Sequence, residues 1–142
     1  MSTIQTKSAF RRSCEEGFNQ GNLAIVDEMN TPDHITHTPF TPDRNGNEAL
    51  KDLITMFRTA FPDLHLTVED EMTQGDKYAA HWTMRGTHRG PFLGAPATGK
   101  QVSIQGIIYA RCVDGKIAED WTLVDQLGMM QQLGLVPPPS GH

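Results

Sequence analysis

The sequence predicts an α+β fold: a curved antiparallel sheet whose concave face is covered by N-terminal helices, a cone-shaped half-barrel around a pocket. Three observations predict it. Up to Pro62 the apolar residues recur at spacings of three and four, the helical period. Beyond Pro62 the period drops to two, the strand period. Asp114-Gly115 then sits between two alternating runs, a two-residue hairpin signal. Helices first and strands second exclude a βαβ alternation.

Each element has its own signal. Phe10, Cys14 and Phe18 lie four apart and predict a helix over about Thr3 to Gln20. Gly21 stops it, and Asn22 caps a second helix, "LAIVDEM", which Pro32 ends. Asn47 is placed to cap a third helix with Leu50, Leu53, Ile54, Phe57 and Phe61 on one face. Pro62 closes that helix, since the residue before a proline is pushed out of the helical region. About four strands follow. "LHLTV" and "YAAHWTMRGTH" flank the turn "TQGDK", and a Gly/Pro-rich loop, "RGPFLGAPATGK", leads into "QVSIQGIIYARCV". The last strand is "KIAEDWTLV", and "QLGMMQQL" is a closing helix. A twisted sheet with helices on one face leaves an apolar pocket between the layers.

Composition bounds the function. The chain has 142 residues, 37% hydrophobic and 20% charged, with net charge -5. That fits one domain, assigned to residues 1–136, with a proline-rich tail at 137–142. Scattered Lys and Arg argue against nucleic acid as a partner. No stretch reads as an export signal or a membrane span, which points to the cytoplasm. Cys14 and Cys112, far apart, read as reduced core thiols.

Two long stretches, "GTHRGPFLGAPATGKQV" and "VDGKIAEDWTLVDQLGMMQQLG", resemble the SnoaL-like polyketide cyclase family, within the nuclear transport factor 2-like superfamily. The segment "DHITHTP" and the helix around Leu50 to Phe61 match it too, so the resemblance covers nearly the whole chain. It implies the cone-shaped α+β fold and an intramolecular aldol ring closure, without metal or cofactor, by an aspartate on the last strand and a nearby histidine. In the register set by "VDGK" and Leu133-Gly134, the family's catalytic aspartate falls on Thr122. One partner histidine falls on Asp120 and another on Ile108.

Strand alternation sorts the carboxylates. Asp120, Thr122 and Val124 share one face, and Glu119, Trp121, Leu123 and Asp125 the other. The resemblance turns the first set toward the pocket. Asp125 then reads as a helix cap on Gly128 or Leu127, worth about 1 kcal/mol. Glu119 reads as solvent-facing or ion-paired. Asp120 is the candidate catalytic carboxylate, with His37, which the resemblance puts at the pocket, as its partner. His34 and His37 have a spacing that suits metal ligands on a helix, but the flanking Thr31-Pro32 and Thr38-Pro39 argue against a helix there, and no metal is assigned. His81 reads as a core or interface residue and His65 as exposed.

Thr122, Ile108, Trp82, His88 and Met130 are the candidate substrate contacts. For His88 a loop-tying role stands beside the ligand role. Ile104, Gly106, Ile108, Ala110 and Cys112 form a small, aliphatic strand face that leaves room for a hydrophobic ligand. The expected ligand is a small apolar or aromatic carbonyl compound. Two functions stay open: a cofactor-independent acid/base enzyme, whether cyclase, isomerase or hydrolase, and a non-catalytic small-molecule binding protein of the same fold. Hydrolysis of an epoxide on this fold needs two aspartates bridged by an arginine; Arg85 and Arg111 are the candidates for the arginine. The outward residues Gln105, Ile107 and Tyr109 predict a homodimer through the outer sheet face.

Overall fold

The computed structural model describes residues 8–137, with backbone alone for 41–45. Residues 3–7 of the first predicted helix and the tail from 138 lie outside the described residues. The chain opens with α1 (Ala9–Arg12), which runs directly into a π-helical segment, Ser13–Phe18. Then come α2 (Ala24–Met29), β1 (Asn30–Thr38), β2 (Thr41–Asn45) and α3 (Gly46–Ala60). The rest is β3 (His65–Gln74), β4 (Lys77–Thr87), β5 (Gln101–Val113), β6 (Lys116–Val124) and α4 (Gln126–Gln132). No helix among the described residues is long and apolar enough to cross a membrane.

The α+β architecture is as expected, with one curved sheet of six strands in the order β2-β1-β6-β5-β4-β3. The sequence accounted for four of them. β1 and β2 went unread because Pro32, Pro39 and Pro42 punctuate polar residues there, and apolar alternation is absent. β2 is an edge strand, where proline is tolerated, and Pro32 of β1 lies where the β1–β6 register is interrupted between Asn30 and Ile35. The sheet is also not antiparallel throughout. β1 runs parallel to β6, a pairing open to strands joined by a long crossover rather than a hairpin. The other neighbours pair antiparallel.

The core lies between the sheet's inner face and the helices. Phe57, Phe61 and Phe92 pack with ring centroids 5.2–6.2 Å apart and close one end. The N-terminal helical wall is pinned by Glu71 of β3. Its carboxylate accepts from Ser8 Oγ at 2.7 Å, from Tyr78 OH at 2.7 Å and from Arg11 Nε at 2.8 Å. Burial raises the Glu71 carboxyl, but these donors and the Arg11 charge outweigh it, so the group is held below its ordinary value. The other side of the same bargain is Tyr78, whose phenol is pushed up by burial and by Glu71.

Candidate functional site

β6 alternates as the sequence requires. Asp120 is buried inward at 6% exposure, while Trp121 and Leu123 stand out at 38% and 75%. The inward row of β5 faces the same space. Gly106 of that row has a physical reason: a Cβ there would meet the Trp82 ring, so glycine lets the indole lie flat against the strand.

The cavity between this face and the helices has a volume of about 80 Å³. Its walls are apolar. Trp82, Met84, Ile104 and Ile108 come from the sheet, and Phe10, Phe18, Leu53 and Phe57 from the helices. The polar side chains on it are few, and one is ionisable: Asp120, beside Ser13, Asn30, Thr36, Thr38 and Thr122. Mostly apolar walls with a few placed polar groups are the general signature of a ligand site.

Asp120 is held from behind. Thr36 Oγ1 donates to its Oδ1 at 2.8 Å, and His34 Nε2 lies 2.6 Å from its Oδ2. Both partners come from β1, two residues apart and therefore on one face, and the parallel register sets Thr36 beside Asp120. The imidazole is wholly buried. Its Nδ1 faces Asn47 Oδ1 at 3.2 Å, while Asn47 Nδ2 donates to the Thr31 carbonyl. That fixes Asn47 Oδ1 as an acceptor, so His34 Nδ1 carries a hydrogen. One further proton then lies in the short Nε2–Oδ2 bond. The pair is imidazolium–carboxylate or imidazole–carboxylic acid, and in either form that proton is engaged between the two residues. Gly46 completes the arrangement, because a Cβ at this position would run into the His34 ring.

This differs from the expected pairing. His37 is not the partner of Asp120. On β1 it is three residues from His34, and an odd step along a strand changes face. It lies outside, with Nε2 2.7 Å from Glu119 Oε2 and its ring stacked on Trp121 at 5.1 Å. His34 and Thr36, which sequence reasoning missed, occupy the inner face instead. The signal was present in the parity of "HITH" with β6, once that segment is read as a strand. Asn47, expected to cap α3, lies within the helix and clamps His34.

The remaining candidates divide. Thr122, Ile108 and Trp82 line the cavity. His88 does not: it is fully buried in the β4–β5 connection, where Nδ1 accepts from the Thr98 backbone N–H at 3.2 Å and meets Thr98 Oγ1 at 3.0 Å. It ties that loop down. Met130 is half-buried on α4 away from the cavity walls, and its neighbour Met129 is the one taken into the core. Asp125 caps α4 by accepting from Gly128 N–H at 3.0 Å. Glu119 is ion-paired with Arg111 at 3.7 Å, and its Oε2 lies 2.7 Å from His37 Nε2. Neither Arg111 nor the exposed Arg85 lines the cavity. Burial pushes the Cys14 thiol well above its ordinary value, which suits an inert core residue. Among the described residues no three His, Cys, Asp or Glu side chains converge on a metal-sized space.

The chain is similar to known proteins along most of its length. The profile of the SnoaL-like polyketide cyclase family matches residues 8–133. The aklanonic acid methyl ester cyclase of Streptomyces peucetius is 32% identical over 97% of this chain and 98% of its own. The nogalonic acid methyl ester cyclase of Streptomyces nogalater is 30% identical over 82% of this chain and 89% of its own. The solved structure of IdmH from Streptomyces antibioticus superposes with a TM-score of 0.78 at 32% identity, covering 89% of this chain and 96% of that one.

Proposed function

From the premise that the chain belongs to the SnoaL-like polyketide cyclase family, we propose that it is a cytoplasmic, cofactor-independent enzyme that closes a ring in an apolar carbonyl compound by acid/base chemistry at Asp120. The observation that carries this reading is the Asp120–His34 pair: one carboxylate on an apolar cavity wall, backed by a buried imidazole.

The chemistry follows from the proton count. Asp120 takes a proton from the carbon next to a substrate carbonyl, on a lone pair facing the cavity. The proton already shared with His34 stays in the pair. The pair therefore gains one positive charge as the substrate becomes an enolate, and the two charges remain adjacent in a site of low dielectric. The enolate carbon attacks a second carbonyl of the same molecule, forming the new C–C bond. Asp120 then returns its proton to the alkoxide, and the enzyme is restored. No electrons are exchanged and no co-reactant is consumed. His34 positions the carboxylate and keeps its second oxygen occupied, and Thr36 does the same for the first. Thr122, where the resemblance puts the family's catalytic aspartate, contributes a hydroxyl to the cavity beside Ile108.

By analogy with the names of its relatives, the substrate is a polyketide methyl ester. The test incubates the protein with aklanonic acid methyl ester and follows ring closure by chromatography. Turnover that falls about 10²- to 10⁴-fold in Asp120→Asn supports the proposal. Binding without turnover in the native protein would assign it instead to the non-catalytic binders of the fold. We also propose a homodimer through the outer sheet face, supported by Ile107, Tyr109, Trp121 and Leu123, which stand exposed on β5 and β6.

A further inference from the structure

Ser13 is out of character with the helical wall it belongs to. Along that wall the cavity is met by Phe10 and Phe18, and between them comes a serine only 4% exposed. Its Oγ is buried and has no hydrogen-bond partner among the described residues. A serine inside a helix ordinarily settles its hydroxyl on the carbonyl one turn back. Here the α-helical turn ends at Arg12, the π-helical segment begins at Ser13, and the Ala9 carbonyl takes Ser13's backbone N–H. The wider winding is confirmed by the Asn19 N–H, which bonds the Cys14 carbonyl five residues back at 2.9 Å. π-helical turns concentrate at functional sites. Alanine at this position would leave nothing unsatisfied, so the hydroxyl is costly to the empty protein.

We infer that Ser13 Oγ–H is a ligand-binding donor, a second polar anchor on the helical wall of the cavity that Asp120 lines from the sheet, which takes a carbonyl oxygen of the bound compound and so sets which end of it lies against Asp120. The inference rests on the cavity being the substrate site proposed above. The choice of a carbonyl follows from the Asp120 pair. Its shared proton is engaged with His34 and its other oxygen accepts from Thr36. Asp120 therefore has acceptor capacity to offer and no free hydrogen. A ketone oxygen, which can only accept, is turned away from it and toward a hydroxyl. Thr122 also brings a hydroxyl to the cavity, but from β6, the strand of Asp120 itself.

The test compares two probes of one shape, 1-tetralone and tetralin, which differ by a ketone oxygen. Binding to the full chain is followed by isothermal titration calorimetry in native protein, Ser13→Ala and Thr122→Val, with circular dichroism to verify each fold. The expected result is that tetralin binds native protein and Ser13→Ala alike. The ratio of the tetralone Kd to the tetralin Kd should rise about five- to tenfold in Ser13→Ala, the worth of one hydrogen bond, and stay unchanged in Thr122→Val. An unchanged ratio in Ser13→Ala, or a rise in Thr122→Val instead, overturns the role of Ser13 and leaves the cavity as the ligand site. Absence of binding by both probes to the native protein overturns the cavity reading and the Ser13 inference with it.

Discussion

The imidazole of His34 and the carboxylate of Asp120 meet at 2.6 Å from positions 86 residues apart, and the ring has no exposed surface at all. Breaking such a buried pair by removing one partner costs about 3–5 kcal/mol. His34→Ala is therefore expected to lower the unfolding free energy by an amount in that range, measured in urea. Asp120→Asn keeps the shape and a donor for the ring, and is expected to cost less stability than His34→Ala while losing more activity than any conservative change elsewhere on the cavity wall. Equal stability losses in the two variants would contradict this.

Gly46 makes a sharper test of the same pair, since it touches neither substrate nor Asp120. A methyl group there cannot coexist with the present His34 ring position. Gly46→Ala should improve helix propensity in α3 and still reduce turnover, by about tenfold or more, because a small displacement of a catalytic group is expensive. A variant with native kcat would show that His34 has slack that the structure does not reveal.

Asp125 and Asp120 lie five residues apart and should respond in opposite ways. Asparagine caps a helix as well as aspartate does, so Asp125→Asn should leave both stability and turnover near native values, whereas Asp125→Ala should cost about 1 kcal/mol. Activity and thermal unfolding of the three variants settle it. A silent Asp120→Asn beside a damaging Asp125→Asn would mean that the other face of β6 carries the chemistry.

Glu71 supplies a pH signature. Its carboxyl is held below the ordinary value in the folded chain, so the stability it contributes is fully present above the unfolded value of about 4.3. It is lost as pH falls through the lower folded value. Urea midpoints between pH 3 and 5 should drop more steeply for the native chain than for Glu71→Gln. Parallel curves would assign the acid sensitivity to other groups.

On the outer face, Leu123 lies directly across from Ile107 in the β5–β6 ladder, both more than half exposed at 75% and 53%. Leu123→Lys should convert a dimer into a monomer by light scattering, with turnover per chain retained if the cavity is complete in one subunit. A monomeric native protein at micromolar concentration would remove the basis for the experiment and the proposed dimer.

The parts legible in the sequence are those with a strong period. α3 was visible because Leu50, Leu53, Ile54, Phe57 and Phe61 repeat at helical spacing, and it spans Gly46–Ala60, within about two residues of expectation at either end. β5 and β6 were visible through alternation and the Asp114-Gly115 turn; that alternation separated Asp120 from Glu119 and Asp125, and the family resemblance then turned Asp120 inward. β1 was not legible, because its inner face carries His34 and Thr36, polar residues satisfied by hydrogen bonds to Asp120 and Asn47 rather than by apolar burial. Periodicity reports burial in oil and is silent on burial against a carboxylate. The pairing of Asp120 with the wrong histidine follows from that gap: without knowing that "HITH" is a strand, nothing distinguishes an even step from an odd one. The π-helical segment was equally hidden, since Phe10, Cys14 and Phe18 fit an ordinary helix as well.

The parallel seam between β1 and β6 bears on how the molecule assembles. β3 to β6 form successive antiparallel neighbours with connections that are short or confined to one loop, so each can close on the last. The β1–β6 seam instead joins positions more than eighty residues apart, as its Thr36–Asp120 bond does at a separation of 84. Contacts of such range carry the largest loop-closure entropy and tend to form late. The carboxylate is thus the point at which the N-terminal third is stitched onto a sheet that can exist before it. Amide hydrogens of β1 should exchange faster than those of β4 and β5, and a ligand seated against Asp120 should slow them selectively, acting as a clasp on the seam that folding closes last.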